Sequence, residues 1–359
     1  MRGIAIPTGN ARNVLQEAHS CSKVSRVLFF PKPPYFQHLD TRRPTSGILF
    51  FREGSPNLAK LRISIVQYLN TAPLVWGFTN GPLQGKYNLS FTVPSQCAEA
   101  LRTGAADIAI IPAIEYQRID GLAVLPDLAI ASKERVRSLL LIAKKPIDQV
   151  QRIALDQSSR STQALTRILC AEHWKIRPEL FEAAPDVREM LEQADAAMVI
   201  GDPALRISIT TERDGKGGSF GQTICQAATL GISSAEILYL YDMVSEWKRF
   251  TGLPAVLAIW AAKRDVVTPE VAADFAASRD FGMEHIAEIS LEAARELDLP
   301  AQTLEGYLRE NIDFTLYAEN QLGLELYFQK AAQLGLIARA KPIEWAQRKP
   351  EGLHVSARQ

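Results

Sequence analysis

Several features that mark whole classes of protein are missing from this 359-residue sequence. Its apolar runs, such as residues 139–143 and 254–262, fall far short of the roughly 18 residues that a membrane-spanning helix needs. There are only four cysteines, Cys21, Cys97, Cys170 and Cys225, with no Cys-x-x-Cys pair, which excludes a disulfide scaffold and suits a reducing compartment. None of the five histidines is spaced to put two on one helix face, so a metal site has no support and none is expected. A secretory signal needs an unbroken apolar core near the start. Here Ile4-Ala5-Ile6 is cut by Pro7, so a cytoplasmic location is expected. Net charge is also missing: 40 basic residues balance 40 acidic ones. Nine of the basic but three of the acidic residues fall in residues 1–60, so the remainder has an acidic excess, which argues against a nucleic-acid face. Nothing in the sequence sets the oligomeric state.

What is present is 47% hydrophobic content on a chain long enough for two domains. Residues 1–60 carry Pro31, Pro33, Pro34, Pro44 and Pro56 without a sustained hydrophobic period, and read as a disordered leader or an extension outside the natural protein. At Leu61 the pattern changes. Residues 62–66 read as a strand, 67–71 as a turn, and Pro73 opens a helix, where proline's missing N–H costs nothing. A strand at 89–93 follows, then Ser95 as N-cap of a helix over 96–103 closed by Gly104, then a strand at 107–111 feeding a helix near Pro112.

The same order returns further on, with a strand at 152–155, a hydroxyl-rich turn, a helix to about Trp174, a helix at 185–193, a strand at 196–200 and a helix near Pro203. The letters echo too: Ala106-Asp107-Ile108-Ala109 against Ala194-Asp195-Ala196-Ala197. Alternating strands and helices predict an α/β protein with mainly parallel sheets, whose ligands bind beyond the carboxyl ends of the strands. Residues 254–262 read as a strand returning to the first half, and 268–338 as helices. The expected organisation is therefore lobe one over 61–142 and 254–345, lobe two over 143–253, and a tail over 346–359.

Several short strings recur in a telling order: Tyr68-Leu69-Asn70 with Pro73, Ala109-Ile110-Ile111-Pro112 leading into Ile114-Glu115-Tyr116-Gln117, and Val136-Arg137-Ser138. They continue through residues 156–162, Ile200-Gly201-Asp202-Pro203-Ala204, Glu246-Trp247 and Thr251-Gly252-Leu253-Pro254. In these the chain resembles the chorismate dehydratases of the futalosine route to menaquinone, a family with the two-lobed periplasmic-binding-protein type II fold. The likeness runs from about Leu61 to Trp345. The family's Ser-Arg-Thr-Ser reads here Ser159-Arg160-Ser161-Thr162, which keeps both hydroxyls.

The resemblance implies loss of water from chorismate to give 3-[(1-carboxyvinyl)oxy]benzoate, with a ligand cleft between the lobes and no cofactor. A redox cofactor is not needed for such an elimination, in keeping with the lack of a dinucleotide glycine fingerprint after the first strand. Chorismate carries two carboxylates, and a helix N-terminus supplies free N–H groups and a favourable dipole. Ser158, Ser159, Arg160, Ser161 and Thr162 are therefore the expected anion turn. Arg160 either clamps a carboxylate or, at the surface, caps a neighbouring carbonyl or pairs with Asp156. Ser95 is either a plain N-cap or a hydroxyl facing substrate, and Ser138 and Asp202 are further binding candidates. Asn70 is expected in the catalytic site, holding the leaving hydroxyl or a carboxylate; its alternative role is an Asx turn before Pro73. Asp202 and Glu115 follow strand ends and either cap helices or serve as bases. With no histidine near the motifs, a substrate carboxylate is the expected proton acceptor. His173-Trp174 reads as packing, and the glycines of 215–221 as a surface loop lacking phosphate-loop spacing. Two rival readings are the dihydroxynaphthoate synthase of the same pathway and a solute-binding protein without chemistry.

Overall fold

The computed structural model describes residues 60–214, 222–233, 235–264 and 266–346, all within one compact unit. The expected leader, the 346–359 tail beyond Ala346 and the 215–221 loop lie outside the described residues. The chain begins with β1 (Arg62–Val66), a 3-10 turn at Leu69–Thr71, α1 (Ala72–Thr79), β2 (Asn88–Thr92), α2 (Pro94–Thr103), β3 (Ile108–Pro112), α3 (Ala113–Arg118) and β4 (Leu122–Ser132). The apolar runs of β1 and β3 are buried nearly end to end, as strands covered on both faces must be.

The chain then changes sheet through residues 133–138 and continues as β5 (Leu139–Ala143), β6 (Arg152–Asp156), α4 (Arg160–Ile168), β7 (Glu179–Ala183), α5 (Val187–Gln193), β8 (Ala196–Ile200), α6 (Gly201–Asp214), β9 (Gln222–Gln226), β10 (Ile237–Asp242) and α7 (Met243–Thr251). It returns as β11 (Ala255–Lys263), followed by α8 (Pro269–Glu284), α9 (Ile286–Leu297), α10 (Ala301–Gly306), a π-helical turn at Tyr307–Asn311, and α11 (Ala318–Gln333).

Two sheets result, with strand orders β2-β1-β3-β11-β4 and β7-β6-β8-β5-β10-β9. They share one plan. In each, the first three strands run parallel, the next lies antiparallel beside them, and a fifth pairs antiparallel with the fourth. The sheets are thus mixed, where the alternation of elements predicted mainly parallel ones. The antiparallel fourth strand of each sheet, β11 or β5, is the one that arrives from the other sheet. Its direction is set by the crossover and leaves no trace in local periodicity. β5 starts at Leu139 and pairs with β8.

A buried carboxylate helps to hold the crossover, with Glu212 engaging the side chains of Arg135 and Arg137. Asp242, almost fully buried, accepts the backbone N–H of Val136 (3.2 Å) and Arg137 (2.6 Å) while capping α7 through Val244 and Ser245. Arg137 has φ +63°, an uncommon backbone state for a side chain of its size. Helices cover the outer faces. α1 lies so close to α8 that a Cβ on Gly282 would sit 2.0 Å from the Pro73 carbonyl. Phe275 meets Phe78 (5.0 Å) and Trp260 (4.8 Å) edge to face, an arrangement worth about 0.5–1.5 kcal/mol per pair beyond simple burial. No helix among the described residues is long and apolar enough to cross a membrane.

Candidate active site

The carboxyl ends of β1 and β6 face one another across a cavity of about 50 Å³, whose lining includes Tyr68, Asn70, Ser159, Ser161, Thr162 and Gly201. On the first-sheet side, the 3-10 turn after β1 buries Asn70, and the Thr71 hydroxyl donates to Asn70 Oδ1 at 3.4 Å. The Asn70 side chain lies near the hydroxyl of Tyr307. That hydroxyl donates to Ser138 Oγ at 2.9 Å, and Ser138 is buried in the crossover, where its carbonyl accepts Gly201 N–H at 2.8 Å.

On the second-sheet side, Asp156 Oδ1 accepts the backbone N–H (2.8 Å) and hydroxyl (2.7 Å) of Ser158, closing an Asx turn at the end of β6. Burial pushes the Asp156 carboxyl above its ordinary range, against the pull of those bonds. Ser159 Oγ donates to Thr162 Oγ1 at 2.8 Å across the first turn of α4.

Most of the hydroxyl turn's remaining partners come from the first-sheet side. The Ser158 carbonyl accepts Ser95 N–H at 3.1 Å, Ser161 Oγ accepts Ile114 N–H at 3.2 Å, and the Ser161 carbonyl accepts the Tyr327 hydroxyl at 2.9 Å. Arg160 donates to Glu115 at 2.8 Å, where a surface pairing with Asp156 was one sequence expectation. Glu115 is fully buried, and Arg102 and Arg118 reach it as well. Burial pushes its carboxyl up, but Arg102, Arg160 and Arg118 outweigh that and hold it below the ordinary range. It is an anchored anion.

Ser95 is not an N-cap. Val93 holds that position, Pro94 and Ser95 are already helical, and no side chain caps the helix. Proline is so well suited to the first turn that α2 starts one residue before its serine. Asp202, in the first turn of α6, accepts Leu69 N–H at 3.0 Å and so links the two sides. Gly201 before it has φ +70°, and any Cβ there would lie 2.7 Å from the Tyr68 ring. His173 and Trp174 both bond the buried Glu246, at 3.0 and 3.1 Å, in a packing role.

The structure thus gathers Asn70, Ser159, Ser161 and Thr162 around one cavity, places Ser138 beside Asn70 through Tyr307, and turns Ser95, Ser158, Arg160 and Asp202 to contacts across the cleft. Two residues of the site had no role in the sequence reading. Tyr68 was legible only as part of a string. Tyr307 had no signal, since a tyrosine in a helical stretch reads as core.

The sequence model of a family described as menaquinone biosynthesis matches residues 61–333. The chain belongs to that family. A curated relative, the chorismate dehydratase of Thermus thermophilus, is 25% identical over 276 residues, covering 76% of this chain and 95% of the relative. Among solved structures, a protein from Archaeoglobus fulgidus superposes with a TM-score of 0.60 at 18% identity, covering 79% of this chain and 100% of its own. An ABC transporter from Parabacteroides distasonis reaches 0.53 at 13% identity, over 81% and 99%. These likenesses, with the paired sheet orders, give the family member an α/β fold of the periplasmic-binding-protein kind, built on two mixed sheets.

Proposed function

We propose that this protein is a chorismate dehydratase, a hydro-lyase that converts chorismate to 3-[(1-carboxyvinyl)oxy]benzoate in menaquinone biosynthesis. The observation that carries this reading is the match to the Thermus thermophilus dehydratase over 95% of that enzyme's length. We read the units built on the two sheets as the two lobes, joined through 133–138 and at 252–254, with Asn70 the catalytic residue on one and Ser158, Ser159, Arg160, Ser161 and Thr162 the anion turn on the other.

The reaction breaks one ring C–H bond and the neighbouring C–OH bond, and the electron pair left in the ring completes an aromatic system. No electrons are exchanged with an acceptor, so no redox cofactor is required. Among the described residues lining the cavity there is no histidine. Glu115 is held by three arginines, and Asp202 holds Leu69. A carboxylate of the substrate then takes the ring proton, and the leaving oxygen departs as water with that proton or one from solvent. Asn70 is suited to hold the leaving hydroxyl because its amide both donates and accepts. The first N–H groups of α4, with Ser159, Ser161 and Thr162, receive a substrate carboxylate. Ser138 completes the site beside Asn70, and Ser95 and Asp202 hold the two lobes in register.

Ligand sites of small molecules span about 300–1,000 Å³, so the present cavity requires the lobes to part for entry and close around the substrate. The buried cysteines Cys97, Cys170 and Cys225 fit a cytoplasmic enzyme. Incubation of the purified protein with chorismate is expected to yield the aromatic enolpyruvyl ether, followed by liquid chromatography and mass spectrometry. Chorismate left unchanged by folded protein would overturn the assignment.

A further inference from the structure

We propose that Tyr307 is a positioning residue of the dehydration site, fixing through its hydroxyl the orientation of both Asn70 and Ser138. The inference rests on the dehydratase reading and goes beyond it by naming a residue 169 positions from Ser138 in the chain. The tyrosine belongs to the π-helical turn Tyr307–Asn311, a backbone irregularity common at functional sites, and only 1% of its surface is exposed.

The direction of each hydrogen bond follows from the proton inventory. A phenol has one proton, and the Tyr307 hydroxyl donates it to Ser138 Oγ at 2.9 Å. The phenol oxygen is then an acceptor toward Asn70, and only the Nδ2 of an asparagine can donate. Asn70 Oδ1 accordingly lies toward the Thr71 hydroxyl, its donor at 3.4 Å. Ser138 Oγ, having accepted the phenol proton, keeps its own proton for donation. The proposed arrangement is one-way, with Asn70 Nδ2–H directed at the phenol oxygen and the phenol O–H donated to Ser138 Oγ. Such chains strengthen each member and hold it in one rotamer. Burial keeps the phenol protonated well above the ordinary tyrosine range, so the donor persists throughout the working pH of a folded protein.

The test is Tyr307→Phe, which removes the hydroxyl and keeps the ring. Loss of a bond that aligns two reacting-site groups is expected to lower kcat by about 10- to 100-fold while KM moves by less than about threefold. Ser138→Ala and the double variant Ser138→Ala/Tyr307→Phe supply a second readout. Because the hydroxyl acts in part through Ser138, the double variant is expected to lose clearly less activity than the product of the two single losses. A merely structural role would instead show in the melting temperature and leave the kcat of the folded fraction intact. A Tyr307→Phe enzyme with wild-type kcat, or single losses that multiply in the double variant, would overturn the assignment. An inactive wild-type protein would overturn the dehydratase reading instead, so the two failures are distinguishable.

Discussion

The turn after β1 and the turn after β6 occupy the same place in their respective sheets, yet they use their polar groups differently. The β1 turn buries one amide, Asn70, and supports it largely from its own side of the cleft through Thr71 and Tyr307. The β6 turn is rich in hydroxyls, and much of it is engaged by the opposite lobe: Ser158 by Ser95, Ser161 by Ile114 and Tyr327, and Arg160 by Glu115. One plan thus carries a turn that places a single amide at the cavity and a turn that bonds to the unit built on the other sheet. The first suits alignment of a reacting bond. The second suits a surface that joins the units built on the two sheets, since its bonds run from one to the other.

This contrast predicts different kinetic signatures. Asn70→Ala is expected to have the largest effect, a fall in kcat of about 1,000-fold, or about 4 kcal/mol of transition-state stabilisation, with KM little changed. Steady-state kinetics on chorismate measures it, and a variant impaired chiefly in KM would break the comparison. Gly201→Ala comes next. Its Cβ would strike the Tyr68 ring at a backbone angle that favours glycine, so a loss of about 1–3 kcal/mol in stability is expected, together with an increase in KM as closure is resisted. Denaturant melts and kinetics on the same sample separate the two contributions.

Ser159→Ala, on the mating turn, should raise KM by about tenfold, the 1.4 kcal/mol of one charge-assisted hydrogen bond, with kcat nearly retained. A kcat defect matching that of Asn70→Ala would show that the two turns do the same work.

The smallest effect concerns Glu296 on α9. Burial and the nearby Asp202 carboxylate push its carboxyl up to about 7. Below the ordinary carboxylate range both folded and unfolded chains carry this proton. Between the ordinary value and about 7 the folded chain binds it more tightly, so stability declines as pH rises through that window. Glu296→Gln is therefore expected to raise the melting temperature by about 1–3 °C at pH 8 and to lose that advantage at pH 4. An advantage that persists unchanged to pH 4 would show that the carboxylate's charge is not responsible.

Much of this architecture was legible in the letters because it depends on short periods. The burial of β1 and β3, the Pro73 helix start and the strand Ala196–Ile200 all follow from patterns two to four residues long. So does the location of Asn70 at a strand end, where an α/β sheet presents its ligand edge. The misplaced Ser95 cap shows the limit even of local reading, since two favourable starts competed and the proline one residue earlier prevailed.

By itself, then, the sequence determined the alternation of strands and helices, the doubled plan and the short list of polar residues at strand ends. Only the tertiary structure decided which of those residues meet. Arg160 finds Glu115 at 45 residues' distance, Asp202 finds Leu69 at 133, and Tyr307 finds Ser138 at 169. Periodicity reports which face of an element is buried, whereas a partner on another element is set by the crossover of the chain between sheets and by how the elements pack. The antiparallel placement of β5 and β11 follows from the same crossings.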